Sequence, residues 1–208
     1  MTLVSTDLAR AYLPAQFILV GEGQPVTPLV VRTASCRGIS VNGREPKAGE
    51  IVQIGLVIVP PDGTGDINNY TLWYYSSDAE LATQLRRAGV SVQHLPTIDY
   101  DYESNDNSLF VRVPRPGSPS LALFGTVQPS PDPGGSFLAN WWQQAEAGSV
   151  KMSTNVPIIN IGGAGLTLTT NAHGPFGRLI GSGSTGFPLL QQFNTFTGAH
   201  MEVSLVSP

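Results

Sequence analysis

Residues 51–59 read Ile-Val-Gln-Ile-Gly-Leu-Val-Ile-Val. In an extended chain successive side chains point to opposite faces, so Ile51, Gly55, Val57 and Val59 share one face and Val52, Ile54, Leu56 and Ile58 the other, interrupted only by Gln53 and Gly55. A strand that is apolar on both faces needs cover on each. A two-sheet sandwich with a solvated outer face does not supply it. A β-barrel filled by side chains on its inside and backed by a few short helices on its outside does.

The rest of the chain agrees with a mostly β, single-domain protein. Short apolar runs separated by turn residues recur at 17–20, 29–33, 38–41, 70–75, 90–94, 109–113, 121–127, 150–155, 158–161, 166–170 and 199–206, the spacing of an all-β architecture. Asn42-Gly43 is a hairpin signal, because a type I′ turn needs positive φ at both central residues. The clearest helix spans 77–88: Ser77 and Glu80 form a capping box, Leu81, Ala82, Leu85 and Ala88 form one face, and Gly89 stops it. Shorter helices are expected at 7–13, 136–146 and 175–180. With 208 residues the chain can bury a core in one domain without staples.

Composition excludes several function classes. Charged residues make up 12% of the chain and the net charge is −4, with Lys and Arg scattered, so a phosphate-backbone partner is not expected. The single cysteine, Cys36, permits no intrachain disulfide, and the N-terminal segment lacks the pattern of a signal peptide, so a cytoplasmic location is expected. No apolar stretch approaches the ~20 residues of a membrane span. His94, His173 and His200 show no metal-ligand spacing, so no metal is expected. Residues 181–186 spell G-x-G-x-x-G, but Pro188 follows at once where a helix would have to begin, so the stretch reads as a surface loop and no nucleotide cofactor is expected. The partner that remains is a small, weakly charged organic molecule, with homo-oligomerisation left open.

Several residues carry chemistry on either of two readings. Alternation puts Lys151, Ser153 and Asn155 on one strand face. Facing inward, the Lys151 amine would be desolvated and nucleophilic; facing outward, it is a surface lysine. Asp99, Asp101 and Glu103 line one side of an extended segment, where they protect a sheet edge or supply a general acid or base, with Asp101 the candidate. Arg112, between Val111 and Val113, clamps a carboxylate if it points inward. The aromatics Tyr70 and Tyr74, with Trp141 and Trp142, either pack the core or wall a pocket in which Arg112 is the anchor and the 181–186 loop the mouth.

The stretch Tyr70-Thr71-Leu72-Trp73-Tyr74-Tyr75-Ser76-Ser77-Asp78-Ala79-Glu80-Leu81 resembles the strand-to-helix segment of the acetoacetate decarboxylase family, and Val150-Lys151-Met152 follows about seventy residues beyond Leu81, similar to that family's spacing to its Schiff-base lysine. The resemblance implies a ligand-enclosing barrel, Lys151 as the amine, and a lyase of decarboxylase, aldolase-like or cyclase-like type acting on a small, largely apolar oxo-acid, ketone or polyketide-like substrate. Met152 stands where that family has a second lysine. The alternative is a barrel that binds such a molecule without catalysis.

Overall fold

The computed structural model describes residues 1–114 and 120–206. Its strands run in chain order β1 (Thr2–Ser5), β2 (Val26–Ile39), β3 (Lys47–Val57), β4 (Ile67–Ser76), β5 (Gln93–His94), β6 (Asp99–Glu103), β7 (Ser108–Val113), β8 (Leu121–Gln128), β9 (Pro133–Ala145), β10 (Gly148–Thr170), β11 (Ser184–Gly186), β12 (Gln192–Phe196) and β13 (His200–Val206). The helices are α1 (Thr6–Arg10), α2 (Ala79–Arg87) and α3 (Pro175–Ile180). All thirteen strands join one sheet, whose main path is β1-β2-β3-β4-β9-β10-β8-β7-β6. The ends of that path, β1 and β6, do not pair, so the sheet is strongly β as expected but is not a closed barrel.

The long strand β10 organises this sheet. Its first part pairs with β9 and β13, its middle with β12 and its last part with β8, so one strand of 23 residues replaces the three separate strands expected there. A strand this long serves two neighbourhoods of the sheet, and register shifts between Val156 and Asn160 let it change partners.

Cover on both faces of residues 51–59 is present at the start of the run and gives out on one face at Val57, which is half-buried, and Val59, which is exposed. Val52, Ile54, Leu56 and Ile58 enter one apolar cluster with Leu29, Trp142 and the helical residues Ala9, Phe176 and Leu179. Ile51 enters a second cluster with Tyr74, Trp141, Val150 and Met152, roofed by Leu81, Ala82 and Leu85 of α2. Emptying such a site, as in Leu85→Ala, costs about 2–5 kcal/mol.

Three local readings need correction. The helix expected at 136–146 is strand β9: Phe137 and Trp141 sit four apart as on a helix, but residue-by-residue pairing with β10 buries both faces at once, which a helix here would not do. Helix α2 is capped by Asp78, whose carboxylate accepts from the Leu81 N–H at 2.6 Å, and not by Ser77. Ser77 instead donates to Glu50, and Glu80 accepts from Gln84. The loop at 181–186 is half structured, since Gly181 caps α3 at φ 73° and Ser184–Gly186 pairs with β10. Asn42 and Gly43 both take positive φ, 52° and 74°, as the hairpin reading requires.

Among the described residues no helix is long and apolar enough to cross a membrane, and no group of three or more His, Cys, Asp or Glu is placed to hold a metal.

Candidate functional site

The face of the sheet beneath α2 is largely apolar, and one polar row crosses it. Arg32 on β2 stands opposite Gln53 on β3, and Gln53 stands opposite Tyr74 on β4. Alternation from Ile51 places Gln53 on this face, and register carries Arg32 and Tyr74 with it. Trp141 on β9 closes the row from the side, its ring centroid 5.5 Å from the Arg32 guanidinium carbon.

Two backbone features make room for this arrangement. At Gly55 a Cβ would lie 2.8 Å from the Trp141 ring and 2.5 Å from the Tyr70 carbonyl oxygen, so the indole reaches across the sheet only because that position has no side chain. Beside it, the register slips by one residue between Ile54 and Gly55, which face Trp73 and Thr71 and leave Leu72 over as a bulge. The bulge puts Thr71 and Tyr74, three residues apart, on the same face. It also sends Tyr70 to the opposite face, so the shared wall expected of Tyr70 and Tyr74 does not form.

This row is short of partners. Arg32 makes no ion pair among the described residues, and its Nε is shielded and unbonded. Gln53 Oε1, Tyr74 OH, Trp141 Nε1, Thr71 Oγ1 and Asn69 Oδ1 are also without a hydrogen bond, in side chains each about 1% exposed. Burial pulls the Arg32 guanidinium below its ordinary pKa, yet arginine stays charged at neutral pH. Burial pushes the Tyr74 hydroxyl up to about 12, against the attraction of Arg32, so it stays a neutral donor. Buried polar groups are ordinarily bonded, and one unmade bond costs about 1–3 kcal/mol. Five such groups, the Gln53 and Asn69 oxygens as acceptors and the Tyr74, Trp141 and Thr71 groups as donors, share one face with Arg32.

The residues expected from sequence fall in three places. Tyr74 and Trp141 belong to the row just described. Tyr70 and Trp142 lie on the other face, stacked near Phe17 at 4.9 and 6.3 Å, with the Trp142 N–H donating to Asn68. Lys151 shares that other face: its amine is 2.5 Å from Asp62 and 2.8 Å from Thr64, over the Trp142 ring. Burial alone would raise the Asp62 carboxyl, but hydrogen bonds from Lys151 and Thr64 outweigh it and hold the pKa below the usual value. Ser153 donates to Asn140, and Asn155 is exposed. Asp101 is exposed on the edge strand β6. Arg112 pairs with Asp99 at 2.7 Å with 56% of its side chain exposed, beside an open groove of about 310 Å³ that none of the Arg32 row lines. The structure therefore does not gather Arg112, the two tyrosines and the two tryptophans into one pocket.

No family model and no curated protein matches the chain. Two solved structures of the enduracididine biosynthesis enzyme MppR are similar. One, complexed with the condensation product of pyruvate and imidazole 4-carboxaldehyde, has a TM-score of 0.55 and 15% identity, covering 97% of this chain and 80% of that one. The other, with HEPES buffer bound, has a TM-score of 0.55 and 14% identity, covering 96% and 82%. MppR is an enzyme of the acetoacetate decarboxylase-like fold, so the likeness supports the fold that the resemblance implied, and at this identity it speaks for fold alone.

Proposed function

We propose that this protein is an enzyme that processes a small organic acid of the oxo-acid type, and that Arg32 holds the acid's carboxylate. One observation carries the reading: a half-buried guanidinium with a shielded, unbonded Nε and no carboxylate of its own, on one face with the unbonded Tyr74 O–H and Trp141 N–H. A buried cation is stable when paired, and an arginine fork matches a carboxylate in shape and charge. The apolar side chains around it, Ile51, Val150 and Met152, suit a small and largely apolar ligand body.

The proposed substrate is of the kind found in one structure of similar fold, which holds a condensation product of pyruvate and imidazole 4-carboxaldehyde. A lyase-type reaction fits an acid held this way, in keeping with the family that the strand-to-helix segment resembles. Calorimetric titration with pyruvate and with acetoacetate tests the reading. Binding by the wild type that disappears in Arg32→Met, with an unchanged circular dichroism spectrum, is the expected result. Equal binding by both proteins would remove Arg32 from the site.

A further inference from the structure

We infer that Tyr74 and Trp141 are the specificity-determining pair of this site, and that the acid is held through two oxygens as a free ketone, without forming an imine. The inference rests on the reading of Arg32 as the carboxylate holder. Once a carboxylate occupies Arg32, the Tyr74 O–H, the Trp141 Nε1–H and the Thr71 hydroxyl on the same face are still unbonded, and of these Tyr74 and Trp141 belong to the row of Arg32. Both side chains are about 1% exposed, so water does not serve them from outside. Two donors that share a face with Arg32 suit a single carbonyl oxygen, which accepts two hydrogen bonds. A plain carboxylic acid would leave both unsatisfied, and a site whose polar groups stay unbonded rejects such an analogue.

The uncondensed state follows from where the amines are. The chain has two lysines, Lys47 and Lys151. Lys151 sits next to Met152 on β10 and therefore faces away from the Arg32 side, where Met152 lies, and its amine is engaged by Asp62 and Thr64. Lys47 is exposed at the start of β3, six residues from Gln53, roughly 20 Å of extended chain. The Arg32 row has no lysine amine to condense with a ketone.

Matched acids test this directly. Wild type, Tyr74→Phe and Trp141→Phe are titrated with pyruvate against propionate and with acetoacetate against butyrate. The wild type is expected to prefer each oxo-acid about tenfold, the worth of about one well-placed hydrogen bond. Tyr74→Phe and Trp141→Phe are each expected to lose most of that preference while binding propionate and butyrate as before. A wild type that binds all four acids equally, or a variant that keeps the full preference, overturns the pair's role. A wild type that binds none overturns the Arg32 reading with it. In the same samples, carbon-13 spectra of pyruvate labelled at C2 should keep the ketone resonance, and borohydride should leave the intact mass unchanged. A reduced adduct on Lys151 or Lys47 overturns the amine-free binding mode.

Discussion

The guanidinium carbon of Arg32 stands 5.5 Å from the centre of the Trp141 ring, and the ring reaches it across Gly55. The contact joins two strands, β2 and β9, that are not neighbours in the sheet. It depends on a missing side chain, since a methyl group at Gly55 would meet a backbone carbonyl oxygen as well as the indole. Gly55→Ala should therefore lower stability by about 1–3 kcal/mol, the usual cost of overpacking. Thermal unfolding checks it, and a melting temperature equal to wild type would show that the indole can move aside.

Capping separates two adjacent residues at the start of α2. Asp78 accepts from the Leu81 N–H, whereas Ser77 exchanges hydrogen bonds with Glu50. Asp78→Ala is expected to cost about 1 kcal/mol, within the ~0.5–2 kcal/mol range for a lost cap. Chemical denaturation of this variant beside Ser77→Ala reads the difference. Loss of helix on far-ultraviolet heating in Ser77→Ala alone would reverse the assignment.

How far the sequence revealed this arrangement depended on which residues break a pattern. The doubly apolar run at 51–59 announced cover on both faces, and both clusters are present. Its one polar side chain, Gln53, marks the Arg32 row, because a polar group in a strand buried on both sides is costly without a partner. Arg32 stands out likewise between Val31 and Thr33. Neither was singled out, because a lone polar residue in an apolar strand does not say what lies opposite; that needs the register. The grouping of Tyr70 with Tyr74 failed for a related reason: a single bulge at Leu72 reverses alternation, and nothing in the local sequence marks it. The helix expected at 136–146 failed because Phe137 and Trp141 satisfy both periodicities, and pairing with β10 decided between them.

The ion pair between Lys151 and Asp62 ties the loop before β4 to β10. Asp62 has a folded pKa below its unfolded value of about 3.9, so its contribution is present above pH ~4 and fades as pH falls through the lower folded value. The pair is partly exposed, so Asp62→Asn should cost less than about 1 kcal/mol at neutral pH. Urea melts at pH 7 and near pH 3 should show that difference shrinking with acid. A difference that grows with acid would contradict the assignment.

Tyr74 is expected to weaken the fold at alkaline pH. Its hydroxyl is raised from 10 to about 12 in the folded protein, so the neutral phenol favours the fold fully below pH ~10 and that contribution is lost as pH rises through about 12. Absorbance at 295 nm should show one fewer late-titrating phenol in Tyr74→Phe than in the wild type. An identical profile above pH 11 would place the Tyr74 hydroxyl in water.

The central claim is that Arg32, a half-buried cation with a shielded, unbonded Nε and no ion pair among the described residues, holds the carboxylate of a ligand. The melting temperatures of wild type and Arg32→Met, each with and without saturating pyruvate or acetoacetate in a buffer free of other carboxylates, test it most directly. Removing an unpaired charge should leave unliganded Arg32→Met at least as stable as the wild type, and the acid should raise the melting temperature of the wild type only. An unliganded Arg32→Met that melts well below the wild type, together with no effect of either acid on the wild type, would show that Arg32 serves the fold and not a ligand.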